Sequence, residues 1–250
     1  MNDRAMETGT GAARPRSRIF LTVALMVLMA AFIALGTWQV QRLFWKLDLI
    51  DRVDARVHAE PVPAPPRSQW PAVSADRDEY RRVTASGTFA HDKAVLVQAV
   101  TERGAGFWVM TPLIQDDRSA ILINRGFVPM DRRGALARAE ASPAAGPVRV
   151  TGLLRMAEPG GGFLRTNDPA ANRWYSRDVA GIAKAKALTD AAPYFIDADA
   201  TPNRGGLPVG GLTVVSFRNS HLVYAATWYA LALMSAAGIF VIHRFRRDSR

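Results

Sequence analysis

His221, Tyr224 and Trp228 stand three and seven residues apart in RNSHLVYAATWYALA, so a helix through this stretch carries all three on one face. A neutral imidazole can ligate a haem iron. The guanidinium of Arg218, or of Arg42 in LGTWQVQRLFWK, matches the geometry of a propionate carboxylate. An indole such as Trp228 can stack on or flank a macrocycle. The same residue types also gather at bilayer interfaces as anchors. The residues therefore admit two readings: a haem contact centred on His221 as metal ligand, or an interfacial belt with no cofactor.

Other reactive combinations do not assemble. The sequence has no HExxH, nucleophile elbow or phosphate loop. Asp116, Asp117, Asp131 and Glu158 sit in turn-like settings, where a carboxylate is expected to be solvated. Gly104–Gly106 and Gly160–Gly162 read as turns. Of the four histidines, His58 and His91 are expected to face water, and His243 belongs to a terminal basic cluster. The chain has no cysteine, which removes disulfides, CxxC redox chemistry, thioether haem attachment and thiolate-held zinc or iron–sulfur clusters. No catalytic residue is assigned, and the chain reads as a non-enzyme.

Two elements must position the histidine and its neighbours. Leu222–Ile242 is free of charge for 21 residues, and Ile19–Trp38 for 20. Each is long enough to cross a hydrocarbon core of about 30 Å as a helix. The first exceeds the apolar region of a signal peptide and lacks a small-x-small cleavage site, so a retained span is expected. Residues 1–18 carry four Arg against Asp3 and Glu7, and residues 243–250 four Arg against Asp248. Half of the net charge of +10 thus lies beside the two spans. This is the positive-inside pattern, and no basic–aromatic groove for nucleic acid appears. Antiparallel spans bring Trp38, Gln39, Arg42 and Trp45 to the depth of Arg218, Asn219, His221 and Tyr224.

Between the spans the period changes. Leu43, Leu47, Ile50 and Val57 extend the first helix beyond the membrane until Pro61, Pro63, Pro65 and Pro66 end it. Short β-branched and aromatic runs follow: RRVTASGTF, AVLVQAV, GFWVMTPLI, SAILINRGFVP and VRVTGLLRM. A loop over DRRGALARAEASPAAGP lies between the last two. A short helix is expected at Val179–Leu188, then strands over YFIDADA and LTVVSF. The connections are mostly too short for parallel crossovers, which predicts a mostly antiparallel sheet or small barrel.

The fold class is thus an α+β membrane protein, its two transmembrane helices flanking an exported β domain with a short helix. The predicted organisation is a cytoplasmic tail (1–18), a first span (19–42), a helical extension with a Pro-rich linker (43–66), a periplasmic β-rich domain (67–219), a second span (220–242) and a basic cytoplasmic tail (243–250).

LGTWQVQRLFWK, INRGFVP, NDPAANRWYSRD and RNSHLVYAATWYALA occur in this order between and within the two spans. With them the chain resembles the Surfeit locus protein family over roughly residues 18–245. The resemblance implies a bacterial inner-membrane assembly factor for haem-copper cytochrome c oxidase, with both termini cytoplasmic. It implies haem a as a transient cofactor and the large oxidase subunit as partner, with haem a synthase and other assembly factors as further partners. The histidine and tryptophan of the family's NxHLxYAxTW motif fall on His221 and Trp228. In INRGFVP and NRWYSRD the expected roles are structural (a turn glycine at Gly126, core aromatics at Trp174 and Tyr175, a helix start at Asp178), the alternative being a docking surface for oxidase subunits or another assembly factor. The rival reading is a cofactor-free membrane-anchored adaptor that scaffolds oxidase subunits through its periplasmic domain.

Overall fold

The computed structural model describes residues 15–135, 146–162, 164–215, 217 and 219–244. The expected tails over 1–14 and 245–250, most of the 131–147 loop, Ser216 and Arg218 lie outside the described residues. The chain divides into two compact units. One comprises residues 1–50 and 217–250, the other residues 51–216.

The first unit is helical. Helix α1 runs unbroken over Pro15–His58, so the helical pattern does continue past the first apolar stretch. It ends three residues short of Pro61, where a ring without an N–H cannot continue the ladder. The other helix of this unit, called α4 from its place in the chain, spans His221–Arg244. Both are long and apolar enough to cross a membrane. Their outer faces are bare hydrocarbon, with Phe20 76% and Leu233 72% exposed.

The second unit is built on one seven-stranded sheet. Its strands are β1 (Val62–Pro63), β2 (Arg82–Phe89), β3 (Val95–Thr101), β4 (Gly104–Ile114), β5 (Ala120–Pro129), β6 (Val148–Met156) and β7 (Ala191–Ala198). Their order is β1-β2-β6-β7-β5-β4-β3. The sheet curls until β2 also meets β4, pairing Thr88 with Ile114 and Phe89 with Leu113. Strands β2, β6, β7, β5 and β4 therefore form a closed ring, which removes free edges among them. Pairing is mostly antiparallel, as expected. The exceptions are β1–β2 and β5–β7, the latter joined by a long connection that crosses back. That connection carries α3 (Val179–Ala185). Asp178 caps α3 as predicted, its carboxylate accepting the Gly181 N–H at 3.0 Å. A further short helix, α2 (Ala75–Asp78), precedes β2.

The core follows the pleat. Ile121 and Ile123 of β5, with Tyr194 and Ile196 of β7, fill one cluster with Val83, Leu113 and Leu154. Their neighbours Leu122 and Phe195 point the other way, into a second cluster with Trp174, Val179 and Ile182. Buried on both faces, β5 and β7 read as near-continuous apolar runs. The Pro-rich linker is tied to the first cluster through the Pro65 carbonyl, which accepts from Tyr194 Oη at 2.9 Å and Trp70 Nε1 at 3.1 Å. Burial pushes the Tyr194 hydroxyl well above the ordinary tyrosine range.

Two expectations are corrected here. The strand predicted over LTVVSF does not form: residues 212–215 make no ladder among the described residues. Val209 makes a single bridge to Phe127. Gly211, at φ +71°, then turns the chain. The β-branched residues that suggested a strand do other work, described below for Thr213. Gly126 is the second correction. It is not in a turn but inside β5, at φ +130°. The Val209 backbone crosses it there, with Phe127 N–H donating to Val209 O at 2.8 Å and Val209 N–H returning to Phe127 O at 2.9 Å. A Cβ on Gly126 would lie 2.2 Å from that Val209 carbonyl oxygen. Glycine is required by both the conformation and the close approach. Gly126→Ala is therefore expected to destabilise the domain by about 2–4 kcal/mol, read as a lower denaturant midpoint for the purified protein. A midpoint equal to wild type would contradict this account.

Candidate functional site

In the helical unit the shielded residues of α1 include Leu25, Met29, Phe32, Gly36, Gln39 and Leu43. Those of α4 include His221, Ala225, Trp228, Ala232, Ser235 and Ile239. Both series alternate steps of four and three, the period of a coiled-coil seam. The helices pack antiparallel: Leu25 lies beside Gly238, Phe32 beside Trp228, and Gln39 beside His221. Small residues at Gly36, Ala225, Ala232 and Ser235 let the backbones approach. A Cβ on Gly36 would stand 2.9 Å from the Tyr229 ring. One residue on, Thr37 Oγ1 donates to Ile33 O at 2.9 Å. Its single proton is thereby used, so in the 3.2 Å contact between Thr37 and Tyr229 the phenol is the donor.

The predicted site residues sort as follows. His221 opens α4, its backbone N–H 3.4 Å from Asn219 Oδ1 and its Nδ1 2.8 Å from Gln39 Oε1. Trp228 lies two turns further, stacked on Phe32 with centroids 5.7 Å apart and planes at 25°. Tyr224, between them in sequence, stays exposed. Arg42 is engaged locally, its guanidinium 4.8 Å from the Trp45 ring. Arg218 lies outside the described residues. The structure thus joins His221 to Gln39 and Trp228 to Phe32, while Tyr224 is exposed and Arg42 lies over Trp45. The sequence placed Gln39 at this depth but gave it no role. Phe32 escaped notice because it is one apolar residue in an apolar run, and only its place in the four–three period marks it.

The barrel unit holds a second polar centre, on Asp197 of β7, which is 3% exposed. Its carboxylate accepts from Asn124 Nδ2 at 2.7 Å, Thr213 Oγ1 at 3.0 Å, Arg155 Nη1 at 3.1 Å and Arg177 Nη1 at 3.1 Å. Arg155 also reaches Glu79 through Nε at 2.8 Å, and Arg177 grips Glu158 with two nitrogens. Glu158 is therefore not a solvated turn carboxylate, as its sequence setting suggested. Both guanidiniums stack on the Phe195 ring, and Arg155 also on Tyr80. Burial alone would lower the Arg155 pKa; the Asp197 charge and the Glu79 hydrogen bond outweigh it and raise the value above normal. A cavity of about 540 Å³ opens beside this cluster, lined also by Trp108 and Arg103. Two cations against three carboxylates leave the cluster close to charge balance, as expected of a structural device. His91, expected in water, is instead half-buried, its Nδ1 3.2 Å from Arg125 Nη1 and its ring beside Phe89. Trp174 packs in the second core cluster as predicted. Tyr175 instead lines an open groove of about 520 Å³ together with Arg173, Phe107 and Arg133.

These features define a class: a small closed β-barrel unit and a unit of two antiparallel apolar helices whose seam ends in a histidine–glutamine pair. The model of the SURF1 family matches residues 26–233, and the chain belongs to that family. It is 37% identical over 240 residues to Surfeit locus protein 1 of Mus musculus, covering 89% of this chain and 75% of the relative. It is 35% identical to Surfeit locus protein 1 of Homo sapiens over 240 residues, 88% of this chain and 77% of the relative. A SURF1-like protein of Monosiga brevicollis is 38% identical over 247 residues, 93% of this chain and 91% of the relative.

The Asp197 cluster yields its own test. Removing the carboxylate takes one partner from each of two guanidiniums that keep a glutamate and leaves Asn124 and Thr213 without their acceptor, so Asp197→Ala is expected to cost about 2–4 kcal/mol. Denaturant unfolding followed by tryptophan fluorescence measures it, and a loss below about 1 kcal/mol would show that the cluster does not hold the barrel together.

Proposed function

We propose that this protein is a membrane-embedded assembly factor for haem-copper cytochrome c oxidase that holds haem a at His221 and passes it to the large oxidase subunit. The reading rests on membership of the SURF1 family together with one observation. The His221 ring is held at one nitrogen by Gln39, and its Nε2 makes no hydrogen bond among the described residues. Among those residues no three of His, Cys, Asp and Glu converge to hold a bare metal ion. A lone imidazole suits an iron that arrives with four macrocycle nitrogens of its own. Bound haem a supplies the iron, two propionates and an isoprenoid tail. The chain would hold it through the His221 imidazole, with the guanidiniums of Arg42 and Arg218 for carboxylates and the Trp228 and Tyr224 rings as flanking surface. Attachment is non-covalent, which suits a carrier that must release its load.

Embedding α1 and α4 in the bacterial inner membrane accounts for their exposed hydrocarbon, which water would penalise at about 25 cal/mol per Å². In this arrangement residues 19–42 and 220–242 span the bilayer and the Arg-bearing termini lie in the cytoplasm. Residues 43–66 lead to a periplasmic domain over 67–219, available to the oxidase subunit, haem a synthase and other assembly factors. Alkaline phosphatase inserted between residues 136 and 145 is expected to be active and a fusion at Arg250 inactive. The reverse pattern would invert the topology.

His221→Ala is expected to lower haem a co-purifying with the protein by at least tenfold, read in reduced-minus-oxidised spectra, while insertion stays at wild type and the unfolding midpoint falls by no more than the loss of one hydrogen bond, about 1 kcal/mol. Undiminished haem with a normal spectrum would remove His221 as ligand. Absence of haem from the wild-type protein, with oxidase activity still lost in its deletion strain, would favour the cofactor-free adaptor.

A further inference from the structure

We infer that Gln39 is the positioning residue for His221, taking the Nδ1 proton on its side-chain oxygen and so leaving Nε2 unprotonated as the ligand atom. The inference deepens the haem-ligation reading and rests on it for its purpose, but its hydrogen-bond content stands on geometry alone. The facing atoms are Gln39 Oε1 and His221 Nδ1, 2.8 Å apart. An amide oxygen only accepts, so the ring nitrogen must donate. A neutral imidazole carries one N–H, and placing it on Nδ1 makes Nε2 the lone-pair nitrogen. Metal-binding histidines generally depend on such a partner at the other ring nitrogen, which fixes tautomer and ring plane together.

The packing explains why a glutamine of α1 can do this reliably. Gln39 is one turn beyond Gly36, where Tyr229 closes on the α1 backbone, and two residues beyond Thr37, which the Tyr229 hydroxyl engages. Phe32 on Trp228 fixes the register one turn before Gly36 and two turns before Gln39. A slip of one residue would swing the glutamine about 100° around α1 and out of the seam. Asn219 Oδ1 faces the His221 backbone N–H at 3.4 Å and so bears on the start of α4, while the ring itself is engaged by Gln39.

The test uses the full-length protein in detergent micelles, free of haem, with ¹⁵N-labelled histidine. The His221 signals are assigned by their loss in His221→Gln. Wild type is expected to show a protonated Nδ1 and an unprotonated Nε2. Gln39→Leu is expected to move the proton to Nε2 and to weaken haem a binding by tenfold or more. Gln39→Glu, whose carboxylate also accepts, is expected to keep both the tautomer and the binding; this guards against a fold defect in the leucine variant. A protonated Nε2 in wild type overturns the inference, as does a Gln39→Leu protein with unchanged tautomer and affinity. The two readings fail separately. Haem binding that survives His221→Ala, with the tautomer still governed by Gln39, removes the ligation reading and leaves the positioning pair. Haem binding lost in His221→Ala, with Nε2 protonated throughout, keeps the ligand and discards Gln39.

Discussion

A carboxylate withdrawn from water must find donors for its lone pairs or lose its charge, and Asp197 meets that demand by gathering donors from four separate places in the barrel unit. Asn124 comes from the adjacent strand β5, Arg155 from β6 on the other side, Arg177 from the segment leading to α3, and Thr213 from the segment beyond β7. Strands distant in sequence are thereby held to one arrangement by a centre that tolerates little displacement. Hydrophobic burial drives the closure of the ring and does not by itself choose a register. A buried charge with directional partners does choose one, because any slip leaves at least one ion unpaired at several kcal/mol. The same centre explains why residues 212–215 run beside the sheet without joining it. Thr213 spends its hydroxyl on Asp197, and Val214 is left exposed.

The helical unit solves a different problem with related means. Over their apolar stretches both helices expose hydrocarbon on most faces, so in the lipid setting proposed for them burying one apolar surface against another would bring no gain. What favours one pairing is close backbone approach and the few polar groups that can find each other. Gly36 provides the approach, and Thr37–Tyr229 and Gln39–His221 provide the polar contacts. The polar pairs sit at the α4 N-terminal end of the seam, beside Phe32 and Trp228. A histidine placed this way is oriented by packing from two helices, which is the orientation that the proposed ligand role calls for. The Asp197 cluster orients nothing toward a ligand in the same manner, since its cations and carboxylates are spent on one another.

Much of this was legible in one dimension. The two charge-free stretches, the prolines that stop α1 at His58, the strands β2 to β6, the Asp178 cap and the order of four motifs all follow from local chemistry. Each depends on residues near one another in the chain: an absent N–H, an apolar run, an alternating pleat. So the sequence alone determined the element types, the division into helical and β-rich parts, and the histidine at the mouth of the second apolar helix. It misread whatever depended on a distant neighbour. Gly126 resembled a turn glycine because nothing local announces that Val209 will cross it. Glu158 resembled a solvated carboxylate because its partner, Arg177, lies 19 residues away. LTVVSF resembled a strand because β-propensity reports fitness for a pleated surface, not the presence of a pairing partner. Tertiary structure alone decided which nitrogen of His221 is held and by what. Gln39 stands 182 residues from it in the chain, and only antiparallel packing of the two helices in one register brings amide and imidazole within hydrogen-bond reach.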